Sequence, residues 1–494
     1  MTTVSGVGTT NADQNDLRVA IIGAGPGGLC MAIRLKQAGH RDFVLLEKAE
    51  GIGGTWFHNR YPGCACDVQS HLYSFSFAPK LDWSRPYARQ PEILEYLQTC
   101  ASTHGIESHC RFDCSVRSVA WDDDAAQWTL TVEGGETVEA DVVVSAIGMF
   151  NELAYPSIDG IDAFTGTRIH TARWDWDHDL AGERVAVIGS AASAVQLVPE
   201  IAETAGKVHL FQRTANWVLP KEDTPFTEEE LERFRTHPEA ARALRQQIYD
   251  NFEIGSTFSN PAVLADREAV GLAAIEAVED PEVRAKLRPQ HPFGCKRPLF
   301  SNDFYAAFNR PNVELVTEPI EAITSSGVLT ADGTEREVDT MVFATGFQTT
   351  KFLSAIDVTG RGGLALTDAW HDGAQAYLGV TTAGFPNLFM LYGPNTNNGS
   401  IITMIEHQVD HVLGLIDRLQ RDELAWIDVR PDAMDDYNDE VQRDIDGVEV
   451  WQAGCNTYYR TPSGRVVTQW PRSMKEYGER VHDIDPSAFE VGVR

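Results

Sequence analysis

The chain has 494 residues, enough for two or three domains around a large core. Its 72 acidic residues exceed its 41 basic residues by 72 − 41 = 31, and a surface this negative should repel nucleic acid and anionic membranes. Because no apolar run reaches about 18 residues, we expect no transmembrane helix.

Two features of the chain predict a cytoplasmic location. Residues 1–16 are polar, with neither a basic start nor an apolar stretch, so we interpret them as a disordered tail rather than a signal peptide. Eight cysteines are scattered along the chain, and their closest spacings, C-x-C and C-x3-C, lack the second ligand pair of a zinc site. Without a C-x-x-C motif for disulfide chemistry, we expect a reduced, cytosolic chain and no bound metal.

The first predicted element is a strand, glycine-rich turn and helix over residues 17–39. Gly23 permits the tight turn, Gly25 lets the backbone approach a pyrophosphate, and Gly28 allows close packing of the helix on the strand. Glu47 ends the next strand 24 residues after Gly23, where a carboxylate accepts hydrogen bonds from both ribose hydroxyls. It would repel a 2′-phosphate, so this turn favours FAD or NAD over NADP. The alternative is a glycine-rich turn without a ligand.

A second strand, turn and helix follow over residues 183–202, but the turn GSAASA has Ala191 in place of the middle glycine and also lacks the last one. Gly189 is followed 24 residues later by Arg213, the interval from Gly23 to Glu47 with the charge reversed. We therefore predict an NADP site, in which Arg213 and Thr214 meet the 2′-phosphate and the hydroxyls of Ser190 and Ser193 are further donors. An ordinary strand-to-helix turn followed by a surface arginine is the alternative.

The alternation of strands and helices predicts an α/β fold with two Rossmann-like dinucleotide-binding domains and a helical insert. Thr227 and Glu230 have the spacing of a capping box at the start of the insert. The predicted tail occupies residues 1–16. The predicted FAD domain consists of residues 17–155 and 348–494, the NADP domain of residues 156–221 and 293–347, and the insert of residues 222–292.

A motif between the two units resembles the fingerprint of a known enzyme family. The residues Phe164, Gly166, His170, Trp174 and Asp175 match the FxGxxxHxxxW(P/D) pattern of the Baeyer–Villiger monooxygenases. The sister flavin-containing monooxygenases, which oxidise nitrogen and sulfur, usually carry Tyr or Phe at the tryptophan position. The match does not require the histidine to touch substrate, and a packed linker histidine is an equal alternative.

The resemblance covers about residues 17–480 and implies further site residues. Residues 53–77 resemble the segment that covers the flavin, which implies FAD contacts and an active-site aspartate at Gly54, Thr55, Trp56, Asp67 and Tyr73. Residues 293–316 resemble the segment with the family's essential arginine, here Arg297, and its lysine at the NADP 2′-phosphate, here Lys296. The loop at residues 393–395 resembles the flavin-facing loop and implies a contact at Asn395.

Three positions depart from the family pattern. Ala65 stands where many relatives have arginine, Gln69 where glutamate or proline is usual, and Tyr458 where several ketone-oxidising members have tryptophan. These departures place the chain nearer the 4-hydroxyacetophenone-type branch than the cyclohexanone type.

The resemblance implies an NADPH-dependent flavoprotein monooxygenase that inserts one oxygen atom of O2 next to a ketone carbonyl, through a flavin peroxide, to give an ester or lactone. Arg297 would stabilise the negative charge that develops on oxygen, and Asp67 would orient Arg297. Oxygenation of sulfur or nitrogen in small molecules is the alternative activity. A nucleotide-binding protein without catalysis is the alternative from another functional class.

Overall fold

The structure is a computed structural model that describes residues 17–255, 257–455 and 457–493. The predicted disordered tail, residues 1–16, lies outside the described residues. In this part of the chain no helix is long and apolar enough to cross a membrane. The described residues also contain no group of three or more metal-ligating side chains.

The described strands have two to seven residues. They are β1 (Val19–Ile22), β2 (Phe43–Leu46), β3 (Cys110–Arg111), β4 (Val116–Asp122), β5 (Gln127–Val132), β6 (Thr137–Ala140), β7 (Val142–Ser145), β8 (Thr167–His170), β9 (Arg184–Ile188), β10 (Lys207–Phe211), β11 (Val218–Leu219), β12 (Leu299–Phe300), β13 (Val313–Val316), β14 (Ile320–Ile323), β15 (Gly327–Thr330), β16 (Glu335–Glu337), β17 (Thr340–Phe343), β18 (Asp357–Thr359), β19 (Leu388–Met390), β20 (Leu424–Val429) and β21 (Phe489–Val493).

The helices range from a single turn to 21 residues. They are α1 (Pro26–Ala38), α2 (Thr55–His58), α3 (Gln90–Thr103), α4 (Ala192–Ile201), α5 (Glu228–Thr236), α6 (Pro238–Gly255), α7 (Pro261–Ile275), α8 (Pro281–Leu287), α9 (Phe304–Ala307), α10 (Leu366–Ala369), α11 (Ile401–Arg421), α12 (Pro431–Asp446) and α13 (Met474–His482).

Two five-stranded parallel sheets form the framework. The first has the order β19-β7-β1-β2-β3, and the second has the order β13-β10-β9-β17-β8. Their central strands are apolar on both faces, as expected of parallel strands covered by helices: all four residues of β1 and of β17 are buried. The predicted α/β class with two Rossmann-like sheets is confirmed.

Each parallel sheet combines distant parts of the chain. In the first sheet β19, near residue 388, pairs with β7, near residue 142. In the second sheet β13 and β17 pair with β10 and β9, although the helices α5 to α8 intervene along the chain. The capping box at the start of α5 is confirmed, since Thr227 and Glu230 hydrogen-bond each other's backbone N–H. The exact domain bounds stay a prediction.

The expectation of a fully reduced chain is wrong for one pair of cysteines. Cys295 and Cys455 form a disulfide, with Cα atoms 6.1 Å apart. The pair is separated by 160 residues, and such a pairing leaves no short-range motif in the sequence. The other six cysteines are free thiols.

Candidate active site

The first glycine-rich turn has the geometry that a dinucleotide turn requires. Gly23 has a φ of +105°, and its N–H donates to the Leu46 carbonyl at 2.8 Å. A Cβ on Gly28 would lie 1.9 Å from the Gly23 oxygen, so only glycine lets α1 pack this close to the turn. Gly25 is the N-cap of α1, and the free N–H groups of the helix begin there.

Glu47 is buried at the carboxyl end of the next strand, and its carboxylate folds back on the turn. One oxygen accepts from the Ala24 N–H at 2.7 Å, and the other accepts from the Ala49 N–H at 2.8 Å. These bonds hold the carboxylate beside the turn, where it would accept hydrogen bonds from a ribose and repel a 2′-phosphate.

The segment predicted to cover the flavin lies directly on this turn. A Cβ on Gly54 would lie 2.7 Å from the Gly25 Cα, so the two backbones touch without side chains between them. Thr55 begins α2, and the buried Trp56 indole donates to the Tyr73 hydroxyl at 3.0 Å. The result is a cradle of bare backbone with an aromatic wall, which fits a flat dinucleotide such as FAD.

Asn395 lies in a buried loop with a φ of +54°. Its side-chain nitrogen donates to the carbonyls of Val466 and Gln469, both at 3.0 Å, while its side-chain oxygen is buried without a partner in the described part of the chain. A buried acceptor of this kind calls for a donor from a bound molecule or a water. This observation fits the predicted flavin contact.

The second turn forms in spite of its missing glycines. Gly189 also has a φ of +105°, and α4 begins three residues later at Ala192. Ser190 is buried and its hydroxyl donates to the Thr214 carbonyl at 3.4 Å, which connects the turn to the segment after β10. Ser193 lies in the first turn of α4 and is partly exposed.

Arg213, just after β10, and Lys296 are near enough for their charges to interact, although 83 residues separate them along the chain. Burial lowers the pKa of Lys296, and the nearby Arg213 guanidinium lowers it further. Within the described residues neither cation forms an ion pair with a carboxylate. Two close cations without a carboxylate partner favour an anionic ligand, and the 2′-phosphate of NADP matches that requirement.

Arg297 and Asp67 are 230 residues apart in sequence and form an ion pair in the structure. Both Nε and Nη2 of Arg297 donate to the same oxygen, Oδ2 of Asp67, at 3.0 and 2.6 Å. The Asp67 carboxylate raises the pKa of Arg297 well above its usual value, so the guanidinium keeps its charge. Among the described residues none accepts a hydrogen bond from Nη1, which leaves a charged donor for a ligand.

Three of the fingerprint residues, Phe164, Gly166 and His170, lie at or next to β8, the edge strand of the second sheet. Phe164 is buried in the core of the second sheet, and a Cβ on Gly166 would lie 2.3 Å from the Asp339 oxygen. The His170 Nδ1 accepts from the Ala172 N–H at 3.1 Å, and burial lowers the pKa of His170 to about 4. The ring is therefore neutral near pH 7, and its Nε2 is buried without a hydrogen-bond partner in the described part of the chain. Both interpretations of His170, packed linker histidine and substrate contact, stay predictions.

A cavity of about 240 Å³ lies where the segment after Asp67 meets the helical insert. Its lining is mixed apolar and polar, and it includes Gln69, His71, Phe226, Leu244, Ile248 and Asn251. Burial lowers the pKa of His71 to about 4, so its ring is uncharged near neutral pH. The insert thus lines a cavity together with the segment that follows Asp67.

Sequence reasoning assigned no role to three residues that the structure places around this pair or its segment. Tyr392 and Tyr458 lie close enough to Arg297 to affect its pKa. The Tyr458 hydroxyl is buried without a partner in the described part of the chain. Gln196, on α4, hydrogen-bonds the segment that carries Asp67. No motif marked the three, although Tyr458 had been singled out as a departure from the family.

The comparisons with known proteins agree with this geometry. Residues 20–254 match the family model described as pyridine nucleotide-disulphide oxidoreductase. A Baeyer–Villiger monooxygenase of Pseudomonas aeruginosa is 42% identical over 98% of this chain and 93% of that protein. This chain belongs to the Baeyer–Villiger monooxygenase family. The predicted resemblance is therefore confirmed.

Two solved structures extend the match to the whole fold. An oxidized steroid monooxygenase bound to NADP is 32% identical, with a TM-score of 0.87 over 97% of this chain and 100% of that chain. OTEMO in complex with FAD and NADP is 29% identical, with a TM-score of 0.87 over 96% and 99% of the two chains. Together with the two dinucleotide turns, these matches confirm an NADPH-dependent flavoprotein monooxygenase of the Baeyer–Villiger type that uses FAD and NADP.

Proposed function

We propose that this chain inserts one oxygen atom of O2 beside the carbonyl of a small-molecule ketone, and that Arg297 is its central catalytic residue. The observation that carries the proposal is the Asp67–Arg297 pair with its unengaged Nη1. This pair belongs to segments that adjoin both dinucleotide turns: Gly54 of the flavin-covering segment touches Gly25, and Lys296 lies beside Arg213.

The remaining predicted residues have cofactor roles in this proposal. FAD would be held by the first turn and by the residues around it: Gly23–Gly28, Glu47, Gly54, Thr55, Trp56, Tyr73 and Asn395. NADPH would be held by the second turn and the residues beside it: Gly189, Ser190, Ser193, Arg213, Thr214 and Lys296. FAD held at the first turn and reduced by NADPH would supply the electrons that activate O2 for the reaction.

The protein's own contribution to the chemistry is charge and position. Attack on a carbonyl carbon places negative charge on the carbonyl oxygen, and a fixed guanidinium stabilises that charge without a proton transfer. Arginine suits this role because it stays charged where a lysine can lose its proton on burial. Asp67 binds two nitrogens of Arg297 on one side, and it thereby points the third nitrogen away from itself.

Replacing Arg297 by alanine tests the proposal. Arg297→Ala should remain yellow and still oxidise NADPH, while ester formation falls by roughly 100-fold or more, the loss typical of removing a charge-stabilising group. The matched control is Arg310→Ala, which removes an exposed arginine paired with Glu203 and should leave ester formation unchanged. Ester formation by Arg297→Ala at the normal rate would overturn the assignment.

The substrate class is tested with a panel of aryl, cyclic, aliphatic and steroidal ketones, with product identified alongside NADPH consumption. An ester from the aryl ketones above all would support the 4-hydroxyacetophenone-type branch. Oxidation of a thioether without any ester from the ketones would instead establish oxygenation of sulfur.

A cytoplasmic location belongs to the proposal as well. The dependence on NADPH supports it, whereas the Cys295–Cys455 disulfide is uncommon for a cytoplasmic protein and points to a redox-sensitive bond. Thiol labelling of protein taken from its native cells would show whether this pair is oxidised there.

A further inference from the structure

The helix that begins at the second dinucleotide turn is attached to the segment that carries Asp67. Gln196 lies on α4, four residues after its first residue. Its Nε2 donates to the Ala65 carbonyl at 3.0 Å, and its Oε1 accepts from the Ala65 N–H at 3.3 Å. One carboxamide thus satisfies both backbone groups of one residue, which stands two residues before Asp67.

The geometry of Ala65 explains why it needs such a partner. Ala65 forms an isolated antiparallel bridge with Arg89, in which the hydrogen bonds are made by the flanking residues: Cys66 N–H donates to Ala88, and Gln90 N–H donates to Cys64. In this type of pair the backbone groups of the central residue point away from its partner. The Gln196 side chain therefore takes the place that the next strand would occupy.

Two further contacts hold the same segment on α4. The Tyr61 hydroxyl donates to the Gln196 Oε1 at 2.8 Å, and Tyr61 is buried. Gly63 has a φ of +78°, and a Cβ at this position would lie 2.5 Å from the Gln196 backbone oxygen. The segment and the helix are therefore in backbone contact, and the carboxamide fixes their relative position.

We propose that Gln196 is a positioning residue for the reaction: it fixes Asp67, and through Asp67 the Arg297 guanidinium, relative to the turn that binds NADPH. The inference rests on the function proposed above for Arg297. A carboxamide suits the role because it carries a donor and an acceptor without charge, whereas a carboxylate would lose the donor to Ala65.

The test compares three variants with the intact enzyme carrying its flavin. Gln196→Met keeps the length of the side chain but removes all three hydrogen bonds. Gln196→Glu keeps the acceptor for Tyr61 and the Ala65 N–H but lacks the donor. The matched control is Glu203→Gln, which removes a charge just after the same helix from its exposed pair with Arg310.

The first readout is independent of activity. Hydrogen exchange of the peptide 61–67 should be about tenfold faster in Gln196→Met than in the wild type, because the Ala65 N–H loses its acceptor. It should be unchanged in Glu203→Gln, whose ion pair with Arg310 does not involve this segment. If exchange in this peptide is the same in Gln196→Met and the wild type, the attachment does not fix the segment and the inference is wrong.

The second readout separates positioning from cofactor binding. In Gln196→Met the KM for NADPH should stay within about twofold, since Arg213, Lys296 and the turn are intact, while ester formed per NADPH oxidised should fall about tenfold. Gln196→Glu should lie between Gln196→Met and the wild type. A raised KM with normal coupling would overturn the inference and make Gln196 a contact of NADPH.

Two outcomes keep this inference distinct from the proposed function. If the wild type forms no ester from any ketone, the function proposed for Arg297 fails, while the exchange experiment still decides whether Gln196 fixes the segment. If Gln196→Met does not fold, Tyr61→Phe replaces it; this change removes one bond and should raise both exchange and uncoupled NADPH oxidation two- to threefold. If hydrogen exchange and coupling are unchanged in both Tyr61→Phe and Gln196→Glu, the inference is wrong.

Discussion

The two dinucleotide turns have the same backbone, although only the first has the full set of glycines. Gly23 and Gly189 share a φ of +105°, and their N–H groups donate to the last residue of the neighbouring strand, Leu46 at 2.8 Å and Phe211 at 3.2 Å. A Cβ on either glycine would approach a carbonyl oxygen beyond another strand, at 2.8 and 2.5 Å. The first glycine is therefore required by the backbone in both turns.

The turns differ at the other two positions. Gly25 and Ala191 both have extended backbone, with φ values of −79° and −93°, so neither position needs glycine for its conformation. Gly28 has no room for a Cβ, whereas Ala194 carries one and is fully buried. A glycine at the third position is therefore needed only where the helix packs closely on its turn. The lack of this glycine in the second turn does not rule out nucleotide binding there.

The largest expected effect follows from this packing difference. Gly28→Ala forces backbone apart at the first turn, since the new Cβ would lie 1.9 Å from the Gly23 oxygen. We expect a loss of about 1–3 kcal/mol in the free energy of unfolding and a protein purified without flavin, measured by chemical denaturation and by absorbance near 450 nm. Its mirror, Ala194→Gly, should cost about 1 kcal/mol and keep the flavin. A Gly28→Ala protein that is yellow and as stable as the wild type would show that the first turn does not require glycine at this position.

The charge reversal between Glu47 and Arg213 predicts the next largest effect. Arg213→Ala should raise the KM for NADPH by about 10- to 100-fold, the worth of one charged hydrogen bond, and leave the KM for NADH and the flavin content unchanged. Steady-state kinetics with both cofactors measures this. Arg168→Ala, which breaks an exposed pair with Asp162, is the control. If Arg213→Ala prefers NADPH as strongly as the wild type does, Arg213 does not read the 2′-phosphate.

The smallest effect concerns the methyl group of Ala191. Because its backbone is extended, Ala191→Gly should change the turn little, lower the dissociation constant of NADP about two- to fivefold and cost less than 1 kcal/mol of stability. Ala191→Val should shift the dissociation constant in the opposite direction. Titration of NADP into the oxidised protein tests both variants, and equal affinities in all three proteins would show that this position does not approach the pyrophosphate.

The parts of the fold that are set by local backbone geometry could be predicted from the sequence. The two turns, the helices that follow them and the capping box at Thr227 depend on neighbouring residues, so their residue types were sufficient. The pairing of Asp67 with Arg297 was expected only through the family resemblance, because local patterns contain no information on contacts 230 residues apart. Gln196 left no signal, since a glutamine on a helix is ordinarily a solvated residue.

The disulfide adds a covalent connection between two distant parts of the chain, which non-covalent packing does not provide. It closes a covalent ring from Cys295 to Cys455, and this ring contains β13 and β17 of one parallel sheet together with β19 of the other. One cut of the backbone inside the ring therefore leaves two polypeptides that still migrate as one species. A protease digest run on a gel should show the fragments as separate bands only after a thiol reductant is added.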